Sequence, residues 1–436
     1  MNMSRQLWSL ALPAMLTNVA TALFGLADMW AIGRLGDAPA QGAVELGAKF
    51  MLGLLNVFNF LRTSTVALTA QGSGRGDTQA GATLVRAAGV SLAIGLVLLV
   101  AMPLTIPLGL DLLGAEGAVR TAASRYIEVR YWAGPVWLLN CVLVGWMIGR
   151  RKVRQVLAVE IIANVVHIAL DVLLVLVAGW GVTGVAVATL ASELLKFALL
   201  AVLMTREGAV PACAAAIRRR STWARQELAP LFALNRDLFV RTLLLTGSIL
   251  LFARTGAEGG PVTLAANGVL FQLFMLSTLL LDGFESGAQV LCGEASGAGS
   301  RRRFTDALKA ALVSGGAMGL VVAIVYALAG PALAGAFSTD PQVIAATARY
   351  APWIALLPLL GVCSFVFDGA FVGAGWTRAM LGTMAVAIAA YLVALAALRP
   401  LGNHGLWAAF AVLFAGRALA QAAVLPGLVR RSFSAS

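Results

Sequence analysis

Residues 7–33 read LWSLALPAMLTNVATALFGLADMWAIG, an unbroken apolar run whose only charge is Asp28. At 1.5 Å per residue such a run is roughly 40 Å long, more than the roughly 30 Å of hydrocarbon a bilayer presents, so it reads as a membrane-spanning helix. A carboxylate at the centre of such a helix costs at least about 2.5–3.5 kcal/mol, and an acid kept there is by default part of an ion or substrate path. A second acid, Asp171, sits in the apolar run 153–178. The first run is too long for a signal-peptide core and no small-residue cleavage site follows a short apolar stretch, so it is expected to remain as the first helix.

The rest of the 436 residues agree with that reading: 60% are hydrophobic, only 12% are charged, and the mean hydropathy is +0.87. A soluble domain needs more charge than this to hold its surface in water, so lipid is the expected solvent. The spacing predicts twelve spans, at 7–33, 43–70, 82–110, 122–149, 153–178, 182–205, 228–255, 262–292, 305–330, 342–372, 376–398 and 404–428. The net charge of +12 is placed by topology rather than by nucleic acid. Arg150, Arg151, Lys152 and Arg154, then Arg218, Arg219, Arg220 and Arg225, then Arg301, Arg302 and Arg303 fall in alternate loops, with Arg430 and Arg431 at the end. Basic loops face the cytoplasm, which puts both termini there and implies a multi-pass protein. Cys141, Cys213, Cys292 and Cys363 show no paired spacing, and His167 and His404 are the only histidines, so neither a metal centre nor a cofactor is expected.

Two echoes divide the chain. Ser73-Gly74-Arg75-Gly76 is matched by Ser296-Gly297-Ala298-Gly299, and Gly145, Gly149 and Arg154 recur 224 positions later as Gly369, Gly373 and Arg378. They predict a duplicated six-helix unit. An even number of crossings makes the copies parallel repeats, giving two pseudo-symmetric six-helix lobes around a central cleft. The expected boundaries are an N-lobe over 1–205, a cytoplasmic linker over 206–227 and a C-lobe over 228–436. The Gly-rich stretch 72–76 lacks the Lys-Ser/Thr and the preceding strand of a P-loop, and reads as a turn.

Depth places the candidate chemistry in the first lobe. Asp28 lies five residues before Gly33, roughly 8 Å from the outer end of helix one, Asp171 roughly 12 Å from the outer end of helix five, and Thr189 roughly 10 Å down helix six. His167 is one turn below Asp171 on the same face. Asp28, His167, Asp171 and Thr189 are therefore the candidate ion-coupling set. Two carboxylates close together in a low dielectric cannot both ionise cheaply, so one holds a proton or they share a cation. The alternative is that both acids only accept hydrogen bonds between helices.

Pro13, midway along helix one, is a candidate hinge. Asn56, Asn59 and Arg62 form a polar stripe that either lines a cavity or packs against a helix, and Asp282 and Asp368 either face the cavity or bond between helices. Asp237 and Arg241, an i, i+4 pair, are expected to form a structural ion pair. Glu160 and Glu193 read as bundle-facing without a role. In the second half, Tyr391 falls at the position of His167 and the partners of Asp171 and Thr189 fall near Leu395 and Phe410, which makes the chemistry asymmetric. No nucleophile–base pair or metal spacing supports an enzyme.

At these residues the chain resembles the multidrug and toxic compound extrusion (MATE) family, in its DNA-damage-inducible, DinF-like branch. The resemblance runs end to end, through Ala11-Leu12-Pro13, Gly25-Leu26-Ala27-Asp28, Ile168-Ala169-Leu170-Asp171, Gly184-Val185-Ala186-Val187-Ala188-Thr189, Leu234-Asn235-Arg236-Asp237, Leu281-Asp282-Gly283-Phe284 and Phe367-Asp368-Gly369-Ala370-Phe371-Val372-Gly373. It implies two six-helix lobes in a V, and export of amphipathic, often cationic, drug-like compounds in exchange for H⁺ or Na⁺, by a monomer in a bacterial inner membrane. It also implies an aspartate at Asp28, an asparagine where this chain has His167, an aspartate at Asp171 and a threonine at Thr189 as the ion site. An imidazole titrates near neutral pH where an amide does not, which favours protons over sodium. The rival expectation is a flippase for a lipid-linked precursor. It needs a strongly basic cavity, whereas the arginines map mainly to loops, with Arg62 the chief exception.

Overall fold

The computed structural model describes residues 2–76, 80–337 and 340–433, and every regular element among them is helical. The α-helices are α1 Met3–Gly33, α2 Ala38–Asn56, α3 Phe60–Arg75, α4 Ala80–Leu112, α5 Gly117–Tyr131, α6 Gly134–Gly149, α7 Val153–Asp171 and α8 Gly181–Arg206. They continue as α9 Ala209–Arg218, α10 Arg225–Ala257, α11 Pro261–Gly297, α12 Arg301–Phe337, α13 Pro341–Gly373, α14 Thr377–Ala397 and α15 Asn403–Phe433. Among the described residues eleven helices are long and apolar enough to cross a membrane, and α5 with α6, bent by 47°, makes a twelfth when taken as one crossing. The bend has a local cause: Pro135 follows Gly134 at the start of α6, and a proline can neither donate to the preceding ladder nor let its neighbour stay comfortably helical. Val97, Val100 and Leu104 on α4 and Val325 and Leu328 on α12 stand exposed. Exposed apolar rows on helices of this length are satisfied only by lipid.

Contacts divide the chain into two compact units, Leu16–Thr69 with Asp77–Phe232, and Met1–Met15 with Ala70–Gly76 and Ala233–Ser436. Helix α1 stays helical through Pro13, and its residues pass from one unit to the other between Met15 and Leu16, two residues later.

Each unit packs two of its helices with the same small-residue device. In the first unit, Gly145 and Gly149 of α6 rest on the carbonyl oxygens of Arg62 and Val66 of α3. In the second, Gly369 and Gly373 of α13 rest on those of Glu285 and Gln289 of α11. A Cβ at any of the four would overlap that backbone, which is why small residues four apart mark close helix crossings in lipid. The other echo is a reciprocal contact inside the second unit: Gly74 packs on the Glu294 carbonyl and Gly297 on the Gln71 carbonyl. Each copy meets the other's equivalent residue, as a two-fold relation between repeats requires. Gln71 also donates from Nε2 to the Gly373 carbonyl oxygen at 2.7 Å.

The core of the second unit is aromatic. Phe252, Phe274, Trp407, Phe410 and Phe414 are buried together, with neighbouring ring centroids 4.7–6.1 Å apart. Tyr391 belongs to the same cluster, its hydroxyl donating to the Ser248 carbonyl oxygen at 3.5 Å.

Asn56, Asn59 and Arg62 lie where α2 ends at Asn56 and a 3₁₀ turn over Val57–Asn59 leads into α3. One expectation is corrected. Asp237 and Arg241 do not pair. Asp237 accepts from Arg236 at 2.8 Å and from Thr377 Oγ1 at 3.1 Å, while Arg241 reaches across to Asp368 of α13. Both carboxylates are buried, but Asp237 already has the Arg236 guanidinium and the Thr377 hydroxyl, which leaves Arg241 to Asp368.

Candidate functional site

The candidate site lies inside the first unit, where α1, α7 and α8 meet. Asp28 comes from α1, His167 and Asp171 from one face of α7, and Thr189 and Ser192 from α8, and all five side chains are buried. His167 Nε2 lies 2.8 Å from Asp28 Oδ1 and 3.3 Å from Asp171 Oδ2, so the three titratable groups converge within 4.8 Å of one another. On the far side of the ring, His167 Nδ1 is 3.0 Å from Ser192 Oγ. Phe24 covers the imidazole, ring centroids 4.5 Å apart.

Two bare acceptors do not sit 2.8 Å apart, so a hydrogen lies between His167 Nε2 and Asp28 Oδ1. Ser192 Oγ is within hydrogen-bond reach of the Ala188 carbonyl oxygen as well as of Nδ1. When its hydroxyl donates to Ala188, Nδ1 carries a hydrogen of its own and the imidazole and carboxylate share a further proton. Asp171 is different: neither of its buried oxygens has a hydrogen-bond donor among the described residues. The arrangement thus holds one proton and presents a second acid able to take another.

Directly after Asp171 the helix widens into a π turn over Val172–Val177, with Ala178 N donating to the Leu173 carbonyl oxygen at 2.8 Å. Wide turns of this kind are frequent at functional sites, and this one begins at the residue after Asp171. Thr189 is turned back on its own helix, donating to the Val185 carbonyl oxygen at 3.1 Å, so it is near the site without bonding to the acids.

A cavity of about 360 Å³ opens beside these residues, wholly within the first unit. Phe24, Met29, Met51 and Trp137 supply its apolar wall, Asp28 and Thr189 reach it from the ion site, and Asn56 stands at its margin. Of the other residues predicted as functional, Asn59 is exposed and Arg62 is half-buried under Gly145. Asp368 lies in the other unit, bound by Arg241, Arg417 and the Gln421 Nε2 donor at 2.6 Å, and Asp282 belongs to the charged surroundings of the same Arg241. Pro13 is on α1, fifteen residues before Asp28.

Sequence reading missed several partners. Ser192, which bonds to His167 Nδ1, shows only as a small hydroxyl three residues after Thr189. Arg130 and Lys196 line the cavity and Arg417 is buried, so Arg62 is not the chief cation inside the membrane segments. Arg130 is held by Tyr126, whose hydroxyl accepts at 2.6 Å, and Lys196 pairs with Glu160, one of two acids left without a role.

Comparison with known proteins agrees with this architecture. The family model described as MatE matches the chain twice, over residues 13–173 and 238–398. The chain is 34% identical over 421 residues to DNA damage-inducible protein F of Escherichia coli strain K12, covering 96% of this chain and 91% of that protein. It is 22% identical over 376 residues to Multidrug export protein MepA of Staphylococcus aureus strain RF122, 84% and 81% of the two chains. In fold, a solved MATE in the bent conformation superposes with a TM-score of 0.89 at 18% identity, covering 100% of this chain and 96% of the other.

Proposed function

The chain belongs to the MatE family of membrane transporters, and from that premise we propose that it is a secondary active efflux antiporter that exports amphipathic, often cationic organic compounds in exchange for protons. Asp28, His167 and Asp171 are its ion-coupling residues, Thr189 borders them, and the cavity beside Asp28 takes the cargo. The observation that carries this reading is the 2.8 Å contact between His167 Nε2 and Asp28 Oδ1 next to a second acid able to take a proton, Asp171, all buried within a transmembrane unit. Sodium would enter between His167 and Asp28 only by breaking that contact.

Coupling follows from charge. With the acids ionised, the cavity wall favours a cationic compound; when protons enter from the outward side, Asp28 and Asp171 lose charge, the attraction falls, and the compound leaves. Pro13 gives α1 a point at which to respond, two residues before the chain passes from one unit to the other. In this reading the protein works as a monomer in the cytoplasmic membrane with both termini in the cytoplasm.

A flippase for a lipid-linked anion remains less apt, since the cavity offers Asp28, Glu45, Glu160 and Glu193 against Lys49, Arg130 and Lys196. Four acids against three bases do not make a pyrophosphate site. The test is efflux of a fluorescent cation from proteoliposomes under separately imposed pH and sodium gradients. Asp28→Asn is expected to abolish pH-driven efflux while the protein stays folded, and wild-type rates in that variant would refute the assignment.

A further inference from the structure

Helix α7 carries more buried polarity than the ion site uses. Asp171, His167, Asn164 and Glu160 recur at spacings of four, three and four, which puts them on one face, and none is more than 5% exposed. Helix α8 answers with Thr189, Ser192, Glu193 and Lys196. The two rows are joined at one end by His167 and Ser192 and at the other by the Lys196–Glu160 ion pair. The α7 row rises roughly 16 Å from Glu160 to Asp171, about half of a bilayer's hydrocarbon, and Glu160 stands roughly 10 Å from the helix start.

A purely structural stripe would satisfy its own polar atoms, and this one does not. Asn164 donates from Nδ2 to the Glu160 carbonyl oxygen at 2.9 Å, and Asn140 of α6 donates to Glu193 O and Oε2 at 3.0 and 2.8 Å. Those bonds fix both amides. They leave Asn164 Oδ1, Asn140 Oδ1 and Glu160 Oε2 as buried acceptors with no donor among the described residues. Buried acceptors of this kind are satisfied by water or by a proton. The cavity has room for both, and it touches Asp28 and Thr189 at the ion site as well as Glu160, Glu193 and Lys196.

We propose that the Glu160–Lys196 pair is a second proton-accepting station, and that the facing polar rows of α7 and α8, with the cavity beside them, conduct the coupling proton between Asp28–His167–Asp171 and the amino-terminal side of α7. This rests on the proton-antiport reading above. In the transfer, the bond between the proton and the Asp28–His167 pair breaks and an O–H bond forms on Glu160 Oε2, while each intervening water accepts one proton, gives up another and ends unchanged. Glu160 becomes neutral, and Lys196 keeps a counter-charge because Glu193 of the same helix faces it. Arg62 of α3 and Cys141 of α6 complete the titratable surroundings of the lower station, and Tyr126 and Arg130 of α5 those of the upper one.

The test uses the full-length protein in proteoliposomes and a fluorescent amphipathic cation, with two readouts. One is transport driven by a pH gradient; the other is exchange of the cation at equal pH, which moves no net proton. Glu160→Gln/Lys196→Gln keeps volume, neutrality and hydrogen bonding. Because both residues line the cavity, pH-driven transport is read as a ratio to the same variant's own exchange at equal pH, and that ratio is expected to fall by roughly tenfold or more. A wild-type ratio in this variant, with Asp28→Asn inactive, overturns the station and leaves the antiport reading standing. Undiminished transport in Asp28→Asn overturns that reading instead. Should the double variant not fold, Glu160→Asp is compared with Glu160→Gln: pH-driven transport kept by the acid and lost by the amide supports the proposal, and equal behaviour of the two refutes it.

Discussion

Asp368→Asn should be among the most destabilising conservative changes in this protein. The carboxylate is buried in the second unit and is shared by Arg241 of α10, Arg417 of α15 and Gln421 of α15. Taking its charge away strands two guanidinium groups in a low dielectric. Removing one partner of a buried pair costs about 3–5 kcal/mol, because the charge left behind is uncompensated rather than because the pair itself is worth that much. At about 2–4 °C per kcal/mol for a unit of this size, the melting temperature in detergent should fall by roughly 6–20 °C. The companion variant Asp368→Leu/Arg241→Met/Arg417→Met removes all three charges together, and such replacements are neutral or stabilising by about 1–4 kcal/mol. Thermal unfolding followed by intrinsic fluorescence measures both. A single variant melting with the wild type, or a triple variant as unstable as the single one, would refute the assignment of Asp368 to a structural charge cluster.

Gly145→Ala and Gly373→Ala each push a methyl into a carbonyl oxygen and should cost about 1–3 kcal/mol, whereas Gly268→Ala meets open space on α11 and should gain roughly 0.4–1 kcal/mol, all read from the same melts. Outside the membrane, the Lys152 ammonium at 2.8 Å holds the Glu207 carboxyl below its ordinary range. A lowered acid stabilises the fold above its ordinary pKa of 4.5 and loses that contribution as pH falls through the folded value, so Lys152→Gln should reduce acid sensitivity below that pH by no more than about 1 kcal/mol.

The membrane fold and the repeat could be read from sequence because both are written in strong local signals. A lone Asp28 in an apolar run and two glycines four apart admit few physical explanations. The convergence of Asp28 with His167 and Asp171 followed from counting residues to helix ends, since depth in a spanning helix is nearly proportional to sequence position. Partners chosen across helices were not legible. Arg241 has an acid at i−4 on its own helix, and nothing in α10 says that Asp368, 127 positions away, will take it. Lys196 and Arg417 were overlooked because long cationic side chains inside an apolar run usually reach for the interface, so their presence there reads as unremarkable. Ser192 gave no sign at all, since a serine in an apolar helix commonly bonds back to its own turn, and this one does so while also meeting the imidazole. The 3₁₀ turn after Asn56 has no glycine or proline to announce it.

The widened turn at Val172–Val177 makes residue count behave as an angular setting rather than a measure of reach. An ordinary helix turns about 100° per residue, so one residue accommodated within a single broad coil rotates everything beyond it by that amount without lengthening the rod much. Leu174 within that coil receives Trp180 N at 2.9 Å on its carbonyl and lies under Gly184, which ties the dial position of α7 to the entry of α8. Descendants of this chain that gained or lost a single codon there would point Asp171 and the start of α8 in new directions relative to each other, while every composition-based description of the segment stayed the same.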